Sequence, residues 1–401
     1  MTTDDLRGTI PLSILELATV GVGQTGAQAI AAAADLAVAA DRLGYRRIWF
    51  AEHHLSPGVA SAAPAVLAAL AAERTRRIRV GSGAVLLGTT SPLVAAEQFG
   101  TIAALHPGRV DLGLGRAFSP LPDGSGPPPR TPAQVVDGLP IPASPPLDLT
   151  DSALRARLLA QQEVIGASRS SADFRAELEV VLGLAAGTYR DAHGQAYVSP
   201  PVAGADLELW VLASSGGESA RVAGALGLPL AANYHVSPAT VLATVRAYRE
   251  AFRPGVLDEP YVVVSADVLA ADTRARARAL AEPFAEWVLS IRRGAQGAIV
   301  YPVPGTTTPW ADRSPDEQDV LRDRIETRLV GTGDEVAAGL ATLARVTGAD
   351  ELLVTTTTHD PRDRLRSFEL LADAWTPSPP PDARAAGAAP TITTGLVPTH
   401  G

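Results

Sequence analysis

The alternation of two patterns is the feature that most constrains this chain. Short apolar runs recur along it, and each is followed by a longer stretch with the apolar spacing of a helix. Eight runs are predicted as strands: Ile10–Leu17, Arg47–Ala51, Ile78–Leu87, Arg109–Gly115, Leu207–Ala213, Leu228–Asn233, Tyr261–Leu269 and Glu351–Thr356. Eight strand–helix pairs are the count of a (β/α)8 barrel, so the sequence predicts an α/β fold of the TIM-barrel class. Its 401 residues suit one barrel with insertions.

The predicted alternation is interrupted after strands four and seven. Residues 118–170 are rich in proline and glycine, and a loop this long in a compact domain is either functional or disordered. We interpret it as an insertion over the barrel mouth, a candidate lid, with a short helix at Leu154–Ile165. Residues 1–375 then form the barrel domain, and residues 376–401 are predicted to be a disordered tail.

The region after strand seven is predicted to hold one long helix, Thr273–Arg292. An irregular excursion, Arg293–Pro315, comes next, and then a helix over Asp316–Leu329.

Composition excludes several kinds of chemistry. The chain has no cysteine and no lysine, so thiolate nucleophiles, thiolate metal sites, disulfides and Schiff-base catalysis are excluded. Its net charge of -9 argues against general nucleic-acid binding, which needs a basic face. No signal-like start or long apolar span is visible, so we expect a cytoplasmic protein without a membrane segment.

An open, doubly wound sheet would show the same alternation. Gly21-Val22-Gly23-Gln24-Thr25-Gly26 superficially matches a dinucleotide-binding fingerprint. No acidic residue closes the second strand, where a ribose would need one, so the barrel is preferred.

The second predicted strand ends in Glu52-His53-His54, at the barrel end where active sites lie. Strand geometry places Glu52 and His54 on one face and His53 on the other. An imidazole here suits acid–base chemistry near neutral pH. A metal site would need a further ligand, for which His235 or Asp111 are candidates, and plain packing in the barrel mouth is a third interpretation.

A second polar group follows the fifth strand. Ser214, Ser215, Gly216 and Gly217 precede a predicted helix, and free N–H groups at a helix N-terminus favour a phosphate. Arg116, after the fourth strand, would complete such a cradle. The alternative is that the serines only cap the helix and that Arg116 forms a surface ion pair.

Several segments resemble the bacterial luciferase-like monooxygenase family, in the family's order and over most of residues 10–375. The segments that carry the resemblance are Tyr45–His54, Val80–Val85, Ser91–Gln98, His106–Arg116, Trp210–Ser215, Gly227–Pro229, Ala349–Leu352 and Arg364–Ala372.

The resemblance implies a barrel that binds reduced FMN or, in one branch, the deazaflavin F420. The FMN branch related to alkanal monooxygenases is the nearer match. The resemblance implies that a separate flavin reductase supplies reduced FMN and that this reacts with O2 to give a C4a-peroxyflavin. The peroxyflavin would then oxygenate a small organic substrate. Water must be excluded from such a site, and a homodimer is expected.

Position by position, His53 matches the family's active-site histidine and Glu52 a supporting carboxylate. Gly83 and Ala84 fall where the family has a non-proline cis peptide beneath the flavin ring. Arg116, Ser214, Ser215, Gly216 and Ser219 fall in the region that holds the flavin phosphate, and no metal is expected.

Two departures and three alternatives accompany the resemblance. Gly115 stands where bacterial luciferase has a reactive cysteine, so light emission is not implied, and the proline-rich insertion puts the substrate in doubt. The alternatives are an F420-dependent oxidoreductase that moves hydride without O2, a flavin-binding protein without turnover, and a barrel hydrolase that uses Glu52.

Overall fold

The computed structural model describes residues 6–116, 132–145, 152–165 and 173–375. The predicted tail 376–401 and much of the candidate lid 118–170 lie outside these residues.

Twelve strands occur in the described residues: β1 Leu12–Glu16, β2 Arg47–Phe50, β3 Arg79–Ser82, β4 Val85–Leu86, β5 Val110–Gly115, β6 Gln134–Val136, β7 Leu139–Ile141, β8 Leu207–Ala213, β9 Leu230–Asn233, β10 Val262–Ala270, β11 Leu329–Gly331 and β12 Glu351–Thr355. Twelve α-helices occur in the same residues: α1 Gly26–Leu43, α2 Pro64–Arg74, α3 Pro92–Leu105, α4 Ser152–Ile165, α5 Phe174–Ala185, α6 Glu218–Ala225, α7 Val241–Ala251, α8 Arg274–Ala281, α9 Phe284–Arg293, α10 Pro315–Thr327, α11 Gly333–Thr347 and α12 Pro361–Trp375. None of these helices is long and apolar enough to cross a membrane.

Eight of the strands close into a parallel barrel. Their order around the ring is β1, β2, β3, β5, β8, β9, β10 and β12, and β12 pairs with β1 to complete it. The predicted (β/α)8 fold is therefore confirmed, and the open-sheet alternative is wrong because the ring has no free edge. Parallel pairing brings all eight carboxyl ends to one mouth of the barrel.

Local sequence explains why the helices begin and end where they do. In α1, Thr25 forms a capping box with Gln28, and Gly44 stops the helix in the left-handed conformation (φ 82°) that glycine tolerates. The alanines on one face of α1 are fully buried, which lets the helix lie close against the barrel.

A buried charged cluster fills the end of the barrel opposite the mouth. The guanidinium of Arg47 lies 2.7 Å from Asp111, 2.7 Å from Glu351 and 3.2 Å from Glu208. Arg79 adds a second cation, 2.7 Å from Asp111. Three carboxylates from β5, β8 and β12 are thus joined through an arginine of β2.

In the second half of the barrel one helix prediction is wrong, and another is confirmed except for its last two residues. The predicted helix Thr273–Arg292 is two helices, α8 and α9, because Pro283 cannot continue the first and instead takes the N-cap position of the second. The predicted helix Asp316–Leu329 ends at Thr327, and Leu329 begins β11, which pairs in parallel with β10 outside the ring.

A β-hairpin of β6 and β7 lies inside the proline-rich insertion, where the sequence analysis expected irregular chain. Asp137 and Gly138 form its turn, with φ values of 47° and 87°, the positive angles that a two-residue hairpin turn requires. Leu139 and Ile141 are buried, and Tyr234 donates a hydrogen bond to the carbonyl oxygen of Pro140 at 2.7 Å. The hairpin is therefore packed against the barrel.

Candidate active site

Four neighbouring strands carry the predicted site residues at their carboxyl ends. The ring order β2, β3, β5, β8 places His53, the Gly83–Ala84 pair, Arg116 and Ser214 in that sequence around the mouth. The fold thus brings together, along one arc, residues from distant parts of the chain.

His53 is the residue of this arc whose side chain is open to a cavity. Its backbone N–H donates to Ser61 O at 2.9 Å, and its imidazole makes no hydrogen bond within the described part of the chain. Desolvation by the surrounding protein lowers the pKa of His53, the nearby His54 acts in the same direction, and Glu52 opposes them. The ring is therefore neutral near pH 7 and free to bond a ligand.

Glu52 is buried and is hydrogen-bonded to three other residues. Its carboxylate accepts hydrogen bonds from His54 at 2.9 Å, from Thr89 Oγ1 at 2.7 Å and from the backbone N–H of Leu86 at 3.1 Å. The family resemblance implies that Glu52 supports His53, whereas its hydrogen bond goes to His54, which shares its face of the strand as predicted. Glu52 thus fixes the loop beside His53, and its influence on His53 is electrostatic.

The peptide bond between Gly83 and Ala84 is cis, at the position that the family resemblance implies. Gly83 donates to Phe50 O at 2.9 Å, and a Cβ there would lie 2.8 Å from Leu15 Cδ1. A Cβ at Gly115 would lie 3.3 Å from Ala84 Cβ, so the missing side chain lets β5 approach this bend. The break between β3 and β4 replaces the single predicted strand.

Among the residues that the structure describes, no side chain caps the N-terminus of α6, so the first N–H groups of this helix are available to a ligand. Gly217 is the N-cap and supplies no side-chain hydrogen bond, so neither serine caps the helix. Ser214 is held in place by Asn233, which donates to its hydroxyl at 3.2 Å, and by Thr240, which donates to its carbonyl at 2.6 Å. Ser215 is exposed, and Ser219 lies in the first turn of α6. The arrangement fits a bound phosphate.

Arg116 reaches the same helix terminus. Its Nη1 lies 2.6 Å from Glu218 Oε2, and both side chains are partly exposed. Glu218 is the first residue of α6, so the ion pair holds the cation beside the serines. The sequence left two interpretations of Arg116, a surface ion pair and part of a phosphate site. The structure has the ion pair, and it lies at the helix terminus where the phosphate site was predicted.

His235 belongs to the mouth although the sequence analysis named it only as a candidate metal ligand. Its Nδ1 lies 2.6 Å from Ser265 Oγ, and burial lowers its pKa to about 4, partly offset by Asp267. Arg324 from α10 binds that aspartate at 2.8 Å. Proximity to His53 also lowers the pKa of His235, so the two neutral histidines lie near one another.

Asp111, the other candidate metal ligand, lies in the Arg47 cluster at the far end of the barrel. Within the described ranges, no group of three or more histidines and carboxylates could hold a metal ion.

A cavity of about 650 Å³ opens beside His53. Three segments line it: the loop after β2, helix α4 of the insertion, and the loop after α9. Its volume lies in the range of small-molecule sites, about 300–1,000 Å³. Part of the candidate lid therefore forms a wall of the site.

Residues 10–137 and 161–351 match the sequence model of a family described as luciferase-like monooxygenase. The chain belongs to the luciferase-like monooxygenase family. The match passes over residues 138–160, which include β7 and the first half of α4.

Proteins similar over most of the chain include one described as a member of this family. The chain is 34% identical to a luciferase-like monooxygenase of Escherichia coli (strain K12), over 91% of this chain and 97% of that protein. It is 38% identical to the protein YvbT of Bacillus subtilis (strain 168), over 91% and 96%. The crystal structure of apo-MsnO8 is similar with a TM-score of 0.69 at 32% identity, covering 91% of this chain and 98% of that one.

More distant luciferase-like structures share the fold alone. One is the oxygenating constituent of a 3,6-diketocamphane monooxygenase in complex with FMN, with a TM-score of 0.61 at 18% identity, covering 92% of this chain and 99% of that one. Another is an F420-dependent secondary alcohol dehydrogenase, with a TM-score of 0.54 at 13% identity, covering 90% and 97%. Both FMN and F420 thus occur in proteins of this fold.

Proposed function

We propose that this luciferase-like protein is a flavin-dependent monooxygenase that uses reduced FMN and O2 to oxygenate a small organic substrate. One observation carries the proposal. The open imidazole of His53, the Gly83–Ala84 bend and the uncapped start of α6 follow strands β2, β3 and β8 around a single mouth. A flat ring with a phosphate tail would span such an arc.

The phosphate of FMN would be held at the start of α6. The free N–H groups there, the hydroxyls of Ser214, Ser215 and Ser219, the backbone of Gly216 and the guanidinium of Arg116 form a donor set suited to a dianion. Gly216 packs against α7, because an added Cβ would lie 2.9 Å from Ala243 O. The Gly83–Ala84 segment would lie under the flavin ring.

Reduced FMN supplies two electrons, so that one atom of O2 enters the substrate and the other leaves as water. The protein has to hold a proton near the reacting oxygen and keep bulk water away. His53 suits the first task because its neutral ring can accept a proton at one nitrogen and donate one from the other. Glu52 holds His54 and the Leu86 turn in place beside it.

The proposal extends to the partners. We propose that reduced FMN comes from a separate flavin reductase and that the enzyme acts as a homodimer. Support for FMN over F420 comes from the sequence resemblance to the alkanal monooxygenase branch, and F420 is the competitor that a binding experiment has to exclude.

The first test is turnover with a flavin reductase, NADH and FMN on a panel of uncharged ketones, aldehydes and thioethers. Replacing His53 with Gln should slow oxygenation by about 10²-fold or more and leave the Kd for FMN nearly unchanged. His193→Gln, an exposed histidine after α5, is the matched control. Tight binding of F420 together with negligible binding of FMN would contradict the proposal, and so would full turnover by the His53 variant.

A further inference from the structure

His235 faces His53 across the mouth of the barrel. In the ring of eight strands β9 stands four places from β2, and strands four places apart lie on opposite sides of the ring. His235 follows the end of β9 and His53 follows the end of β2. His53 is also close enough to lower the pKa of His235. The two imidazoles therefore border one opening from opposite sides.

Ser265 fixes the direction of the His235 ring. Val263 of β10 packs inside the barrel with Trp210, and residues two apart on a strand share a face, so Ser265 also points inward. Its Oγ lies 2.6 Å from His235 Nδ1 and 3.4 Å from the carbonyl oxygen of Ala232. The ring is thus held with Nδ1 toward the barrel wall and Nε2 away from it.

The same two contacts determine which ring nitrogen carries the proton. A serine hydroxyl has one proton, and a carbonyl oxygen can only accept one. Both contacts are hydrogen bonds only if Ser265 donates to Ala232 and accepts from the Nδ1–H of His235. Burial lowers the pKa of His235 to about 4, so the ring is neutral at pH 7. Its Nε2 then carries a lone pair and acts as an acceptor.

The lone pair of His235 Nε2 is free among the residues that the structure describes. Within these residues His235 hydrogen-bonds to Ser265 alone, through Nδ1, and its ring is partly exposed. Asp267, the next residue on the same face of β10, is bound by Arg324 at 2.8 Å instead. A polar atom that is held at a fixed angle in a recess and has no partner suits a ligand.

We infer that His235 is a substrate-contacting residue whose Nε2 accepts a hydrogen bond from a hydroxyl group, so that the site favours hydroxyl-bearing substrates. The inference rests on the proposed function and adds a substrate feature, present besides the group that is oxygenated. Between two neutral imidazoles a hydroxyl can donate to one ring and accept from the other, whereas an ether can only accept. A ligand without a donor leaves the acceptor unpaired and loses affinity.

The test is binding without turnover, in the presence of oxidised FMN, which has no electrons to give to O2. Ligand-observed NMR titrations give the Kd of 3-hydroxyacetophenone and of 3-methoxyacetophenone. His235→Leu should reduce the preference for the hydroxyl compound about three- to tenfold relative to the parent. His235→Gln, whose amide oxygen can replace Nε2, should retain part of the preference. His193→Leu, at an exposed histidine after α5, is the matched control and should keep all of it.

An unchanged preference in His235→Leu would overturn the inference, and so would failure of the parent protein to bind either compound. Two-bond 1H–15N spectra of the seven histidines provide a check that needs no ligand. The signal that His235→Leu loses identifies the residue, and the inference requires its proton on Nδ1. A proton on Nε2 would contradict it.

The Kd for FMN, measured separately by quenching of flavin fluorescence, reports on the proposed function. Loss of FMN binding together with a preference that depends on His235 would sink the proposed function and leave the binding role of His235 standing. Normal FMN binding and turnover with a preference that does not depend on His235 would do the reverse.

Discussion

At the scale of single residues, the candidate site contains a side chain that is open to the cavity and groups that hold the surrounding loop. His53 is open to the cavity and its imidazole makes no hydrogen bond among the residues that the structure describes, whereas Glu52 is buried and bonded to His54, Thr89 and the Leu86 backbone. A carboxylate held by three donors is a poor candidate for direct chemistry and a good one for fixing a loop. We therefore interpret Glu52 as a positioning residue.

Glu218 provides a prediction at this scale. It is partly exposed and pairs with Arg116 at the start of α6, so its charge would oppose a phosphate there. Replacing Glu218 with Gln should tighten FMN binding about two- to fivefold. Riboflavin, which lacks the phosphate, should bind as before. Glu177→Gln, which removes a carboxylate from the first turn of α5, is the control variant. Weaker FMN binding by the Glu218 variant would mean that the phosphate does not bind at the start of α6.

The sequence predicted which residues lie at the mouth better than it predicted their neighbours. His53 and the serines follow recognisable strands, so their position at the mouth could be inferred from the fold class, whereas the bend at Gly83–Ala84 was expected from the family resemblance. The surroundings of His235 could not be inferred in this way. Its neighbours Ser265, Asp267 and Arg324 come from β10 and α10, and they lie near it only once the barrel has closed.

At the scale of elements, boundaries follow capping chemistry where it is local. Helices α1, α3 and α5 each have a side-chain cap at the start, from Thr25, Ser91 and Asp173. Two element predictions were wrong, and in each case one or two residues determine the observed structure. Pro283 splits α8 from α9, and Asp137-Gly138 is a hairpin signal that the surrounding prolines obscured.

The contact between the β2 loop and the segment after α9 gives the element-scale prediction. A Cβ at Gly58 would overlap the carbonyl oxygen of Ile299. Gly58→Ala should therefore displace the loop, lower the free energy of unfolding by about 1–3 kcal/mol and reduce turnover. Gly26→Ala, where an added Cβ lies 3.9 Å from Ala60, is the control and should leave both nearly unchanged. Chemical denaturation and steady-state assays measure the two effects, and equal behaviour of the two variants would mean that this contact does not hold the loop in place.

At the scale of the whole molecule, the two ends of the barrel have different tasks. The mouth carries neutral histidines and an open cavity, while the opposite end carries the Arg47 cluster. Burial alone would raise the pKa of Asp111, but Arg47 and Arg79 outweigh it and lower the pKa. The carboxylate is thus charged in the folded protein, and its contribution to stability is present near neutral pH and is lost as acid protonates it.

Arg47 is the place to test this division. Arg47→Met would leave Asp111 and Glu351 buried without their main cation, which should cost about 3–5 kcal/mol of unfolding free energy. Thermal and urea denaturation would detect the loss. Arg77→Met, whose side chain is 75% exposed, should behave like the parent. The Kd for FMN of the fraction that remains folded should be unchanged, and a specific loss of FMN binding would mean that the two ends are not independent.

The attachment of α4 has an evolutionary consequence. Arg157 grips the barrel through the carbonyl oxygens of Gly294 and Ile291, and every amino acid supplies such an oxygen. The sequence and length of α4 can thus change without any matching substitution at the end of α9 and in the loop after it. The range of substrates of such enzymes would then change through replacement of this one helix, while His53 and the residues at the start of α6 are retained.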